Sequence, residues 1–182
     1  MRSRMGVIVA ATALMMMVAT GVTGADIGAV GQQSVGIDIR WARFEGQWID
    51  LAEAWGPARA CMVVRGHPTE CFRTVRGMEE RAHDVLASSA PYANCATPLK
   101  LRDGANQVSP TVSIYTRGTW VNLSSLSFDN RTSSFTVGAC SIDLAAGING
   151  SNSHYQTCLF AGCVEDIMDP GWDNAVSSAY LN

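Results

Sequence analysis

Two short stretches carry oxygen-rich side chains at identical spacing: Asp129-Asn130-Arg131-Thr132-Ser133-Ser134 and, 44 residues later, Asp173-Asn174-Ala175-Val176-Ser177-Ser178. An aromatic residue precedes each Asp-Asn pair, Phe128 and Trp172, and a strand-like triplet follows each Ser-Ser pair, 135–137 and 179–181. A carboxylate, an amide oxygen, backbone carbonyls and hydroxyls within so short a span form an all-oxygen donor set, which is the chemistry of hard cations. Calcium takes about six to eight oxygens and tolerates irregular geometry, whereas magnesium demands a tighter octahedron. One motif alone offers too few ligands, so two motifs must face each other and share them. The alternative is local: Asp, Asn and Ser side chains cap turns through bonds to nearby backbone. Duplication in register favours calcium as the cofactor, with up to two sites.

Other chemistry-bearing residues are dispersed. His67, His83 and His154 lie far apart and no G-x-S-x-G is present, so no catalytic residue is assigned and a non-enzymatic protein is expected. His154, beside Tyr155 in a Gly/Ser-rich loop, reads as a solvated residue. Glu165, Asp166 and Asp169 read as a solvated acidic loop rather than a paired-carboxylate site. Sequons at Asn122, Asn130 and Asn149 matter only in a glycosylating host, where a sugar on Asn130 would argue against calcium.

The elements that must position the two motifs follow from composition and periodicity. The chain has 182 residues, 47% hydrophobic and 16% charged, enough for one domain or a domain with an appendage and too apolar for a disordered polyampholyte. A net charge of −3 without a Lys/Arg block leaves no electrostatic footprint for a phosphate backbone, so nucleic acid is not an expected partner. Arg2 and Arg4 precede an uncharged apolar run, 5–20, and small residues follow at Thr23, Gly24 and Ala25, the pattern of a secretory signal peptide over 1–25. No later segment reaches spanning length, so a secreted chain free of the membrane after processing is expected. Removal of Arg2 and Arg4 leaves 11 basic against 16 acidic residues.

Residues 26–94 form an expected small N-terminal segment with helix and hairpin. Phe44, Trp48, Leu51 and Trp55 recur at helical spacing before Gly56-Pro57, which predicts a short amphipathic helix. Residues 61–71 predict a hairpin around Arg65-Gly66-His67-Pro68, and Met78, Ala82, Val85 and Leu86 predict a second helix with Thr74 near its N-terminus. A linker over 87–94 predicts a domain boundary near Cys95. From there to the end, short Val-, Ile-, Thr- and aromatic-rich segments predict an all-β half. Cys95 and Cys140 stand at matching distances, 34 and 33 residues, ahead of Asp129 and Asp173, so two copies of a four-strand unit fit, each a Greek key.

Export makes oxidised cysteines the default. The six cysteines, Cys61, Cys71, Cys95, Cys140, Cys158 and Cys163, contain no C-x-x-C pair and no nearby His-x3-His, which disfavours zinc and leaves three disulfides.

The paired Asp-Asn-x-x-Ser-Ser stretches resemble the duplicated signature of microbial βγ-crystallin domains over residues 95–182. The resemblance implies a mainly β, double Greek-key sandwich with two calcium sites between its halves. It implies side-chain oxygens from Asp129, Asn130, Asp173 and Asn174, hydroxyls from Ser133 and Ser177, and backbone carbonyls from Arg131 and Ala175. The family's aromatic hairpin is missing: the first key opens at Leu99-Lys100-Leu101 and the second at Ile142-Asp143-Leu144, followed by the loose 147–153 loop. A positive Arg131 side chain turned inward would weaken its own site, which would leave the second as the stronger.

The expected bridges, one of about 15 pairings, are Cys61–Cys71 across the hairpin, Cys95–Cys140 between equivalent points of the keys, and Cys158–Cys163 around a short loop. A monomer is expected. The chain also looks like the crystallin-like secreted metallopeptidase inhibitors, which makes a secreted peptidase the alternative partner, met by the loops 151–163 or 65–70.

Overall fold

The computed structural model describes residues 36–90 and 92–182. The expected signal peptide, 1–25, and residues 26–35 lie outside the described residues.

The first strands of the described residues form a hairpin, β1 (Trp41–Phe44) and β2 (Gln47–Asp50), instead of the helix that the spacing of Phe44, Trp48, Leu51 and Trp55 predicts. The reason lies in the two residues between them: Glu45 and Gly46 both adopt positive φ, 50° and 81°, which makes a two-residue turn matched to strand twist. Ala42 and Phe44 then point into the core with period two, Leu51 and Trp55 reach it from the following loop, and Trp48 stays 55% exposed. The apolar residues at helical spacing therefore come from three different local structures.

The next hairpin, β3 (Ala60–Val63) and β4 (Thr69–Phe72), is the expected one and carries the Cys61–Cys71 bridge. Helix α1 (Val75–Ala87) follows, with the Thr74 hydroxyl accepting from the Gly77 amide at 3.1 Å. Its buried face, Met78, Ala82 and Val85, packs on Ala60, Met62, Val64 and Tyr115.

Two interlocked four-strand units complete the chain. In the first, β5 (Asn94–Gly104) pairs antiparallel with β6 (Val108–Thr116) on one side and with β8 (Ser134–Thr136) on the other, while β7 (Trp120–Asn122) leaves for a second sheet. In the second, β9 (Ile142–Ala145) is flanked by a bridge at His154 and by β11 (Ser178–Leu181), while β10 (Val164–Glu165) crosses to pair with β8. Each unit thus gives its third strand to the other's sheet. This exchange is the double Greek key of a βγ-crystallin-like sandwich, and the fold is mainly β.

The first sheet does not stop at the key. Strand β3 runs parallel to β6, with Ala60 opposite Thr111 and Val63 opposite Ile114, and β4, β1 and β2 follow, giving eight strands in the order β10-β8-β5-β6-β3-β4-β1-β2. One core joins Ala42, Phe44, Leu51 and Trp55 to Leu99, Phe135 and Val176. The described residues fall in one compact unit. The boundary expected near Cys95 is therefore no break in packing: parallel pairing of β3 on β6, which local pattern cannot encode, carries the sheet across it. Among the described residues no helix is long and apolar enough to cross a membrane.

Candidate metal centre

The two motifs occupy the loops that lead into the last strand of each key, before β8 and before β11, and they face each other. The Asn130 amide donates to the Val176 carbonyl at 3.0 Å, and the Asn174 amide donates to the Thr132 carbonyl at 2.9 Å. The side chains repeat the exchange: the Ser177 hydroxyl lies 3.5 Å from Asn130 Oδ1 and the Ser133 hydroxyl 3.3 Å from Asn174 Oδ1. Each motif's amide oxygen therefore meets the other motif's serine, as sharing of ligands requires. Asn130 and Asn174 both sit in the left-handed region, φ 54° and 59°, a conformation Asn tolerates better than most residues. That backbone turn aims both amides across the interface.

The second serines do different work. Ser134 donates to the Gly104 carbonyl at 2.6 Å and accepts from the Gln107 amide at 3.1 Å. Ser178 donates to the Gly147 carbonyl at 2.6 Å and accepts from the Gly150 amide at 3.1 Å. Each fastens its own key's opening hairpin or loop over the motif. Sequence reasoning left these serines without a role, although their equal offsets in the repeat were the available signal. The first serines, Ser133 and Ser177, take their backbone position from the Arg102 and Ala145 carbonyls, which accept their amides at 2.8 and 2.9 Å.

The two loops differ at their carboxylates. Among the described residues Asp129 Oδ1 is buried without a hydrogen-bond partner, while Oδ2 accepts from Asn130 Nδ2 at 3.2 Å. Asp173 is exposed. A buried carboxylate oxygen with no donor is costly unless a cation or water meets it. Arg131 does not meet it: its guanidinium bonds Asp103 at 2.5 Å and the Ser127 carbonyl at 2.8 Å, and lies over the Phe128 ring. The inward turn that would weaken the first site is absent, because Asp103 and Ser127 hold the side chain. Neither partner stood out in the sequence.

Among the described residues no three His, Cys, Asp or Glu side chains converge. The donors present are hydroxyls, amide oxygens, one carboxylate per motif and the carbonyls after each Asn, at Arg131 and Ala175, a set that fits a hard cation and not a soft one.

The remaining candidates are engaged elsewhere. His154, read as solvated, is half-buried: Nδ1 is 2.8 Å from Asp143 Oδ1, Nε2 is 3.0 Å from the Gly150 carbonyl, and the ring meets Trp120 edge-on. It ties β9 to the loop because the strand bridge at Ala145 brings it back over the sheet. His67 pairs with the Ser89 hydroxyl at 3.1 Å, and His83 is exposed on α1. Glu165 accepts from the Tyr155 hydroxyl at 3.3 Å and Asp169 from Thr157 at 2.8 Å, so the acidic residues turn to separate partners. Asn122 is buried and bonded to Asp38 and Asn149, which leaves Asn130 as the exposed sequon of the three. The disulfides join Cys61 to Cys71, Cys95 to Cys140 and Cys158 to Cys163.

Neither a family model nor a curated protein matches the sequence. Among solved structures, a single-substitution mutant of a βγ-crystallin domain from Clostridium beijerinckii is 13% identical, with 46% of this chain and 95% of that chain covered and a TM-score of 0.38. A double mutant of a βγ-crystallin domain from the same organism is 15% identical, with 47% and 97% covered and a TM-score of 0.39.

Proposed function

We propose that this chain is an exported, non-enzymatic βγ-crystallin-like module in which the crossed motifs hold calcium. One observation carries the reading: two loops exchange amide and serine contacts reciprocally, and the first of them carries a buried carboxylate oxygen, Asp129 Oδ1, that has no donor among the described residues. Asp129, Asn130, Ser133, Asp173, Asn174 and Ser177 would supply side-chain oxygens, and Arg131 and Ala175 their carbonyls. A bound divalent cation supplies a charge that these neutral and acidic oxygens can satisfy together. Three disulfides fit an oxidising compartment.

With one carboxylate per motif, affinities of about 10⁻⁴ to 10⁻³ M are expected. Binding to the native state alone then adds about 2.7 kcal/mol per site at a hundredfold excess of free ion. Calorimetric titration of the mature chain with calcium should give heat, melting should fall on addition of EDTA, and Asp173→Ala with Ser177→Ala should remove most of that difference. No heat at millimolar calcium together with EDTA-independent melting would reduce the motifs to turn caps.

A second reading, binding of a secreted peptidase, is favoured by the loop that Cys158–Cys163 closes. The Leu159 and Cys163 carbonyls accept from Ile142 and Val137, so the loop is fastened at both ends while Phe160 at its tip stays 66% exposed. A preorganised apolar anchor loses little entropy on docking. Residual peptidase activity with stoichiometric protein, with and without calcium, separates this reading from the first.

A further inference from the structure

The loop that presents Asp129 is held from outside its own key. Trp55 is buried, its indole N–H donates to the Leu126 carbonyl at 2.6 Å, and its ring stacks on Phe128 with centroids 5.7 Å apart and planes 25° from parallel. The Ser127 hydroxyl donates to the Leu51 carbonyl. Ser127 itself is in the left-handed region, φ 49°, and its carbonyl accepts from Arg131. Three successive residues ahead of Asp129 are therefore fastened to Leu51 and Trp55.

Among the described residues the second loop has no such attachment. Trp172, at the position of Phe128, packs edge-on against Tyr155 of its own key, with centroids 5.4 Å apart. The asymmetry matches the carboxylates: Asp129 has a buried oxygen, whereas Asp173 is exposed.

We propose that residues 51–55 brace the first motif and that Trp55 is a positioning residue for the cation site that includes Asp129, so the segment after β2 tunes that site more than the other. This inference rests on the calcium reading above. Trp55 touches no ligand oxygen; it acts through Phe128 and Leu126, which fix where the chain enters Asp129. Residues that orient metal ligands from behind change affinity by about ten- to a hundredfold when removed.

The test is calcium titration of the full mature chain, followed by calorimetry that resolves two binding events. Trp55→Ala should weaken one event by about tenfold and the other by clearly less. Trp55→Phe, which keeps a ring on Phe128 and loses the indole donor, should fall between Trp55→Ala and the unaltered chain, and it serves where the alanine variant fails to fold. Met78→Ala, a core truncation on the buried face of α1 far from the motifs in sequence, should lower the melting temperature without changing the ratio of the two affinities. Equal weakening of both events by Trp55→Ala, or none, overturns the brace while leaving calcium binding intact. No binding by the unaltered chain instead overturns the calcium reading and the brace with it.

Discussion

Asp129 and Asp173 hold equivalent places in the repeat and sit in different surroundings, because Phe128 is covered by Trp55 while Trp172 packs within its own key. Equivalence in sequence is therefore not equivalence in chemistry. The two serines of each motif divide in the same way. Ser178 is fully buried and satisfies a carbonyl and an amide of the 147–150 loop, so Ser178→Ala leaves both groups short of a partner and should cost about 1–3 kcal/mol, with or without calcium. Among the described residues the Ser177 hydroxyl makes only a long contact, to Asn130 Oδ1. Ser177→Ala should change urea-unfolding stability little in EDTA and more in calcium. Equal losses in both media for both variants would assign the first serines to structure rather than to ligation.

At the scale of elements, the hairpin of β1 and β2 shows where periodicity misleads. Residues 44, 48, 51 and 55 match a helix, yet Glu45-Gly46 at positive φ closes a turn, and tertiary packing chose the strands. The ends of this hairpin are charge-paired: Arg73 bonds Glu45 and Arg40 bonds Asp50. Those hydrogen bonds hold both carboxyls below their ordinary range. A carboxyl lowered in the folded state binds fewer protons there than in the unfolded chain, so its stabilisation is present above the ordinary carboxylate values, about 4, and is lost as pH falls through the folded ones. Exposed pairs are screened, so the effect is modest. Melting temperature should drop as pH falls below about 4, and a variant carrying Arg40→Gln and Arg73→Gln should show a shallower drop. Parallel curves for the two proteins would mean the pairs contribute nothing. Helix α1, by contrast, was readable in full: a Thr cap followed by Met78, Ala82 and Val85 at helical spacing needs only local information.

The described residues form one eight-stranded sheet facing a three-stranded one, with α1 packed on the larger, and are cross-linked at three points. The Cys95–Cys140 bridge fastens the start of β5 to the chain just before β9, the openings of the two keys. It closes the longest loop, and loop-closure entropy assigns it about 4 kcal/mol against about 3 kcal/mol for Cys61–Cys71. Replacing Cys95 and Cys140 together by serine should therefore lower unfolding free energy more than replacing Cys61 and Cys71. The opposite order would mean that the N-terminal hairpin, through β3 on β6, is the more cooperative part of the sheet.

Features that repeat or act locally are legible in the amino-acid order alone. The duplicated Asp-Asn-x-x-Ser-Ser stretches, the matching places of Cys95 and Cys140, the Cys61–Cys71 hairpin and the capped helix α1 depend on short-range spacing, and the double Greek key follows from the repeat. Long-range packing sets the rest: β3 pairs with β6, Arg131 turns to Asp103, His154 is bonded on both nitrogens, and Leu51 and Trp55 grip Ser127, Leu126 and Phe128. These contacts join residues far apart in the chain, and hydrophobic burial is non-directional. Apolar pattern therefore states which residues must be covered, and only the assembled sheets state by what.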